Sequence, residues 1–195
     1  ESFFNKEPID KKKICEKYSV PFEKKKILIS GNIFYKNVNF SKKVLDKLCE
    51  ERNDVIFIHI GNANNNNEKI HHDKIFRIPY VNRKDLPSIY KISDMLFYPS
   101  IYEGFGMPLL EAMSCGLPII CSNNSSIPEV VGDAALMYSI FDIKIFVKNI
   151  NKVLDDRMLH ANLSNKSIER AKIFNQEKFH QNLIKNYKKE LSIVN

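Results

Sequence analysis

Residues 95–121 read MLFYPSIYEGFGMPLLEAMSCGLPIIC, and the order of apolar and turn-forming residues in this stretch decides the class of fold. Met95-Leu-Phe-Tyr98 is a short apolar run stopped by Pro99, which suits a strand buried on both faces. A glycine-bearing loop follows. Pro108 to Ser114 then has the form of a helix, with proline in its first turn and Gly116 just past its end. Leu117-Pro-Ile-Ile-Cys121 is a second apolar run. Strand, helix and strand in such close order make a βαβ unit, and units of this kind build a parallel sheet with right-handed crossovers.

The same alternation extends outward on both sides. Upstream, Lys26-Ile-Leu-Ile-Ser30 reads as a buried strand ended by Gly31. A helix from Ser41 to Arg52 follows, with Ser41 as its cap and Val44, Leu45 and Leu48 on one face. Val55 to Ile60 is another strand, stopped by Gly61, and the asparagine tract 62–67 reads as a tolerated surface loop. Ile75 to Ile78 is a third strand, and Asp85 caps a helix through Ile92 with Leu86, Ile89 and Tyr90 inward. Downstream, Ala135 to Tyr138 is a sixth strand. Asp142 opens a helix striped by Ile143, Phe146, Val147, Ile150, Val153 and Leu154, and two further helices fill 157–174 and 176–191. The expected fold is α/β: a Rossmann-like parallel sheet of about six strands with helices on both faces. Residues 1–21, polar but for a short helix near Lys11 to Lys17, form a linker or the start of the domain. Residues 22–175 form the domain, and 176–195 a C-terminal helix. Phe179, Leu183, Ile184 and Tyr187 stripe that helix, which either caps this domain or leans on another one.

Composition narrows the function. The chain has 195 residues, 44% of them hydrophobic and 27% charged, enough to bury a core without staples. Cys15, Cys49, Cys115 and Cys121 form no CxxC pair, so zinc and redox couples are disfavoured and reduced thiols in a cytosolic protein are expected. No apolar run is long enough to span a membrane, and no stretch reads as a signal peptide, although a preceding segment could carry one. The chain begins at Glu1 rather than Met, as a piece of a longer protein would. The net charge of +7 is spread over lysine clusters, with no arginine-rich run and no aromatic ladder, so nucleic-acid binding is not expected. His71-His72 gives no metal site, and His59, inside a strand, reads as a packed core histidine.

In open parallel sheets ligands bind beyond the carboxyl ends of the strands. That rule selects the loops Gly31–Asn37, Ile78–Lys84 and Pro99–Met107. In the last of them Gly104 and Gly106 permit close approach of the backbone to a ligand and positive φ. They lead into a helix whose first N–H groups attract an anion or a hydroxyl oxygen. Seven residues separate Glu103, on the loop, from Glu111, one turn into the helix, so both can face one cleft. A carboxylate accepts two hydrogen bonds at once, which suits the adjacent hydroxyls of a ribose or a hexose.

EGFGMPLLE, with Ala112-Met-Ser-Cys-Gly-Leu-Pro118 and Ile127-Pro-Glu-Val-Val-Gly132, resembles the donor-binding domain of the group 1, family 4-like retaining glycosyltransferases. The resemblance covers about residues 22–191. It implies the carboxyl-terminal half of a GT-B fold, two Rossmann-like domains with the active site between them. It also implies a site made of Gly31, Asn32, Lys36, Pro79, Tyr80, Val81, Glu103, Gly104, Phe105, Gly106, Met107, Pro108 and Glu111. Glu111 would hold the ribose, Glu103 would lie by the transferred sugar, and the backbone of Phe105 to Met107 would meet sugar hydroxyls and phosphate. The loop at Pro79 to Val81 would hold the base. Glu103 and Lys36 would be the catalytic residues.

The glycine loop departs from the family pattern. Lys36 fits the lysine that grips the diphosphate, but Asn32 stands where an arginine is usual, and Arg83 is the alternative source of charge. Glu129 would support the site from a helix start. The implied reaction is hexosyl transfer from a UDP-, GDP- or ADP-sugar to a glycan or lipid-linked acceptor, with no metal or other cofactor. The implied partners are the nucleotide sugar and an amino-terminal acceptor-binding domain, and the setting is the cytoplasm, with peripheral contact at the cytoplasmic face of a membrane left open. A non-catalytic nucleotide-sugar-binding module and a GT-B nucleotide-sugar epimerase remain as alternatives.

Overall fold

In a computed structural model of the chain, residues 8–31, 36–61, 73–174, 180–181 and 183–188 are described. Asn32, the asparagine tract, His71-His72 and Phe179 lie outside them. The elements in order are α1 (Lys11–Lys17), β1 (Lys25–Ser30), α2 (Val38–Glu51), β2 (Val55–Ile60), β3 (Ile75–Ile78), α3 (Leu86–Ile92), β4 (Met95–Tyr98), α4 (Met107–Ser114), β5 (Ile119–Ser122), α5 (Ile127–Val131), β6 (Ala135–Tyr138), α6 (Ile143–Asp155) and α7 (Arg157–Ala171). The strands form one sheet in the order β3-β2-β1-β4-β5-β6, and every neighbouring pair is parallel. The chain therefore winds outward from β1 in one direction, then returns to β4 and winds outward in the other. The point of reversal lies between β1 and β4.

Period-two alternation sorts the strand side chains into two cores. Leu28, Ile56, Ile58, Leu96, Tyr98, Ile119 and Cys121 point to one face and pack with Cys15, Ile89, Tyr90, Leu109, Met113 and Val130 from α1, α3, α4 and α5. Ile27, Ile29, Val55, Phe57, Met95, Phe97 and Ile120 point to the other, under Val44, Leu45, Leu48, Phe146, Ile150 and Val153 of α2 and α6. Phe146 sits edge-on to Phe40, Phe97 and Tyr138 at centroid distances of 5.2–5.7 Å. Aromatic contacts of that geometry add to simple burial. Helices on both faces are what a two-sided apolar sheet demands.

The opening helix packs rather than dangles, since Cys15 and Val20 are buried. Its end is tied to α3 through Asp85, whose carboxylate accepts from Lys17 Nζ at 2.5 Å and from Tyr18 Oη at 2.8 Å. That use of Asp85 explains why it stands at the N-cap of α3 without giving a capping hydrogen bond. The expected cap of α2 is corrected. The helix starts at Val38, with Asn37 in the left-handed region as its N-cap, and Ser41 lies one turn inside, its hydroxyl donating back to the Asn37 carbonyl. By contrast Asp142 and Asp156 cap α6 and α7, accepting from Ile145 N and from Met158 N and Leu159 N. At the C-terminus, residues 180–181 and 183–188 are helical, and Leu183, Ile184 and Tyr187 are exposed.

Candidate functional site

The strand order puts the carboxyl ends of β1 and β4 side by side at the reversal point, where a doubly wound sheet opens a crevice. Gly31 follows β1 with φ of +87°, and Lys36 opens the next described stretch, just before α2. The Lys36 side chain folds back along Gly31, so closely that a Cβ there would stand 3.1 Å from its Cγ and Cε. Its ammonium crosses to the β4 side and donates to Glu103 Oε1 at 2.7 Å. It also donates to the Tyr98 hydroxyl and lies 4.3 Å from the centroid of that ring. Lys36 and Glu103 keep only 11% and 9% of their side-chain surface in water. The structure thus brings together, as a largely buried ion pair, the two residues for which the family resemblance implies catalytic roles.

Glu103 is held by its backbone as well. Its carbonyl accepts from the hydroxyls of Ser125 at 2.8 Å and Ser126 at 3.0 Å, which ties the loop after β4 to the loop after β5. Ser100, also buried, has a hydroxyl with no hydrogen-bond partner among the described residues.

The loop then turns into α4. Gly106 is its N-cap, at φ +92°, and a Cβ there would meet Leu109 Cδ1 at 2.9 Å, so glycine is required. Gly104 differs from expectation: its φ is not in the left-handed region, and a Cβ would meet nothing within 4 Å. Its glycine is explained by nothing in the chain's own packing. Among the described residues no side chain caps α4, and no acidic residue occupies its first turn, so the N–H groups at the positive end of the helix can meet an external acceptor. The helix starts at Met107, one residue before Pro108.

Glu111 lies one turn into α4, half-buried, with Oε2 accepting from the Tyr90 hydroxyl at 2.6 Å. Burial raises its pKa, against the lowering effect of that hydrogen bond. Burial also drives the Tyr90 hydroxyl well above its ordinary value, reinforced by the Glu111 charge. On the far side of the crevice, Pro79 and Tyr80 are exposed and Val81 half-buried in the turn after β3, with Arg83 exposed in the same turn. Glu129 falls in the first turn of α5, and its carbonyl accepts from Arg170.

Large exposed side chains gather at this end of the sheet. Tyr80, Ile101, Tyr102, Phe105, Met107 and Phe141 all follow carboxyl ends of strands. Phe105 is steadied by an edge-on contact with Phe174 at 5.6 Å. Tyr98, Ser125, Ser126 and Tyr90 are the polar groups of the site that sequence reasoning missed. Tyr98 and Tyr90 lie in apolar runs, where a phenol hydroxyl is indistinguishable from core filling.

The model of the family described as glycosyl transferases group 1 matches residues 10–190. The chain belongs to this family. The O-antigen chain mannosyltransferase B of Escherichia coli is 42% identical over 109 residues, which are 56% of the chain and 29% of that protein. Among solved structures, Anabaena Alr3699/HepE in complex with UDP and glucose superposes with a TM-score of 0.84 at 16% identity, covering 96% of the chain and 54% of HepE. The C-terminal domain of a glycosyl transferase group 1 family protein, LpcC of Francisella tularensis, superposes with a TM-score of 0.73 at 15% identity, covering 89% of the chain and 97% of that domain. The fold is therefore the Rossmann-like half that GT-B glycosyltransferases share, and the chain spans 29% of the mannosyltransferase and 54% of HepE. Among the described residues no helix is long and apolar enough to cross a membrane.

Proposed function

We propose that this chain is the donor-binding domain of a retaining glycosyltransferase that moves a hexosyl group from a nucleoside diphosphate sugar to a glycan or lipid-linked acceptor. The observation that carries the reading is the Lys36–Glu103 pair at the β1–β4 crevice, 2.7 Å long and nearly closed to water, beside the uncapped N-terminus of α4. Lys36 supplies the positive charge that a leaving diphosphate needs, and the α4 N–H groups add a fixed dipole. Glu103 accepts hydroxyls of the transferred sugar. Glu111 uses Oε2 for Tyr90 and offers its remaining acceptor capacity to the ribose diol. Tyr80 and its neighbours at Pro79 and Val81 border the base. The carboxylates bind hydroxyls here rather than acting as the acid and nucleophile of a hydrolase.

The exposed apolar rim at the carboxyl end of the sheet supports a second domain closing over the crevice, with acceptor recognition on that side. Membrane contact of the whole enzyme would likewise reside outside the crevice described here. No cofactor is required by this reading, since the leaving charge is met by Lys36 and backbone dipoles.

Titration calorimetry of the chain with UDP, GDP and ADP tests the proposal. One of them should bind with a dissociation constant in the micromolar to millimolar range, and both Lys36→Met and Glu111→Gln should weaken it at least tenfold. Absence of binding by all three refutes it. A binding module without transfer is the second reading, supported by Asn32 in place of an arginine. It predicts nucleotide-sugar binding by the full-length protein with no glycosyl product.

A further inference from the structure

His59 is the penultimate residue of β2 and is 3% exposed. A core histidine usually satisfies one ring nitrogen on the nearest carbonyl. Here both nitrogens are engaged, and the two contacts determine the tautomer. Arg77 Nη1, from the neighbouring strand β3, lies 3.3 Å from Nδ1. A guanidinium only donates, so Nδ1 must accept. The proton is then on Nε2, 3.1 Å from the Gly31 carbonyl, which only accepts. Gly31 is the glycine against which the Lys36 side chain lies. A continuous line of contacts therefore runs from Arg77 through His59 and Gly31 to the lysine that the proposed function places on the diphosphate.

We propose that His59 is a positioning residue, whose Nε2–H fixes the Gly31 carbonyl and with it the ledge that directs the Lys36 ammonium to Tyr98 and Glu103. This rests on the donor-site reading of Lys36. Protonation would place a hydrogen on Nδ1, facing a guanidinium, and would cost the ring its Arg77 hydrogen bond. Among the described residues Arg77 is the charged group acting on the ring, and Gly31, just past β1, contributes the carbonyl. Burial, the larger effect, and the Arg77 charge hold His59 below its ordinary value, while the Gly31 bond acts the other way. The neutral form is thus the working one at physiological pH, and acid removes it.

Three measurements on the 195-residue chain test this. Long-range 1H–15N spectra should show His59 neutral with its proton on Nε2 and titrating below pH 6.5. The nuclear Overhauser contact between the Lys36 ε-methylene and the Tyr98 ring should disappear over the same titration. His59→Gln, which keeps an N–H at the Nε2 position, should retain the Lys36–Tyr98 contact and abolish its acid transition. His59→Leu should lose the contact at every pH, with the amide spectrum of β4 to β6 unchanged as evidence of folding. Calorimetry with whichever of UDP, GDP and ADP binds the parent chain should then give affinity lowered about tenfold in His59→Leu and restored in His59→Gln. A contact that survives in His59→Leu, or an acid transition that persists in His59→Gln, overturns the proposal. Should UDP, GDP and ADP all fail to bind the parent chain, the donor-site reading falls, while the spectra still decide whether His59 positions Lys36.

Discussion

Cutting the Lys36–Glu103 pair one side at a time should cost at least as much as removing both charges together. The two side chains are about nine-tenths buried and 2.7 Å apart. Removing one member of a buried pair typically costs about 3–5 kcal/mol, because the survivor is a buried charge without a partner. The residual water access lowers that to about 2–4 kcal/mol for this pair. The two halves are not equivalent. In Glu103→Gln the ammonium keeps the Tyr98 hydroxyl and ring, an interaction of about 1 kcal/mol when partly desolvated. In Lys36→Met the Glu103 carboxylate loses the ammonium that Oε1 accepts from. We therefore expect a loss of about 2 kcal/mol for Glu103→Gln and about 3 for Lys36→Met. The double variant should lose only about 1–2 kcal/mol, a coupling of about 3. For a chain of this length each kcal/mol moves Tm by about 2–4 °C, so Lys36→Met should melt about 6–12 °C lower. Urea unfolding by circular dichroism, with unchanged m-values, gives the four free energies. Additive losses, or single losses within about 0.5 kcal/mol of the parent, would show that the pair is solvated and refute the reasoning.

Three further predictions concern the neighbouring residues. Burial raises the Glu111 pKa, so between its ordinary value and that raised value the folded chain binds more protons than the unfolded one. Stability therefore falls as pH rises through this window, and at neutral pH the buried charge is a net cost. Glu111→Gln, which still accepts from Tyr90, should raise the neutral-pH Tm by a few degrees, flatten its dependence on acid, and lose nucleotide binding. Thermal melts from pH 4 to 8 check the sign. Gly106→Ala should cost about 2–4 kcal/mol, from strain at φ +92° and the 2.9 Å approach to Leu109. Gly104→Ala, open on all sides, should stay within about 0.5 kcal/mol by chemical denaturation yet weaken nucleotide-sugar binding.

The strands were the legible part of the fold. Val55–Ile60, Ile75–Ile78, Met95–Tyr98 and Ala135–Tyr138 fall where the apolar runs place them, because strands covered by helices on both faces are built mainly from apolar residues. Helix starts were less legible. Ser41 has the chemistry of a cap, but Asn37 takes the left-handed turn out of the glycine loop, and α2 begins as soon as that turn is complete. Asp85 is claimed by Lys17 and Tyr18, residues far away in sequence, which no local pattern reports. At the site, Lys36 and Glu103 were each singled out, but their meeting depends on β1 lying next to β4, a property of strand order. Tyr98 was hidden for a different reason. Its position in an all-apolar strand disguises a hydroxyl that the sheet aims at the crevice.

The same pair explains why phosphate grip and sugar grip should not act separately. On the proposed reading, a diphosphate draws the Lys36 ammonium toward itself, and Glu103, 8% exposed, loses the partner that made its burial tolerable. A carboxylate so placed must regain hydrogen bonds at once or carry a penalty of several kcal/mol. Hydroxyls of the sugar attached to that diphosphate are positioned to supply them. A nucleoside diphosphate alone frees Glu103 without satisfying it, whereas the sugar-bearing donor does both. On the proposed reading, donor and leaving nucleotide are distinguished by a residue that touches no phosphate, so Glu103→Gln should narrow the affinity gap between the two.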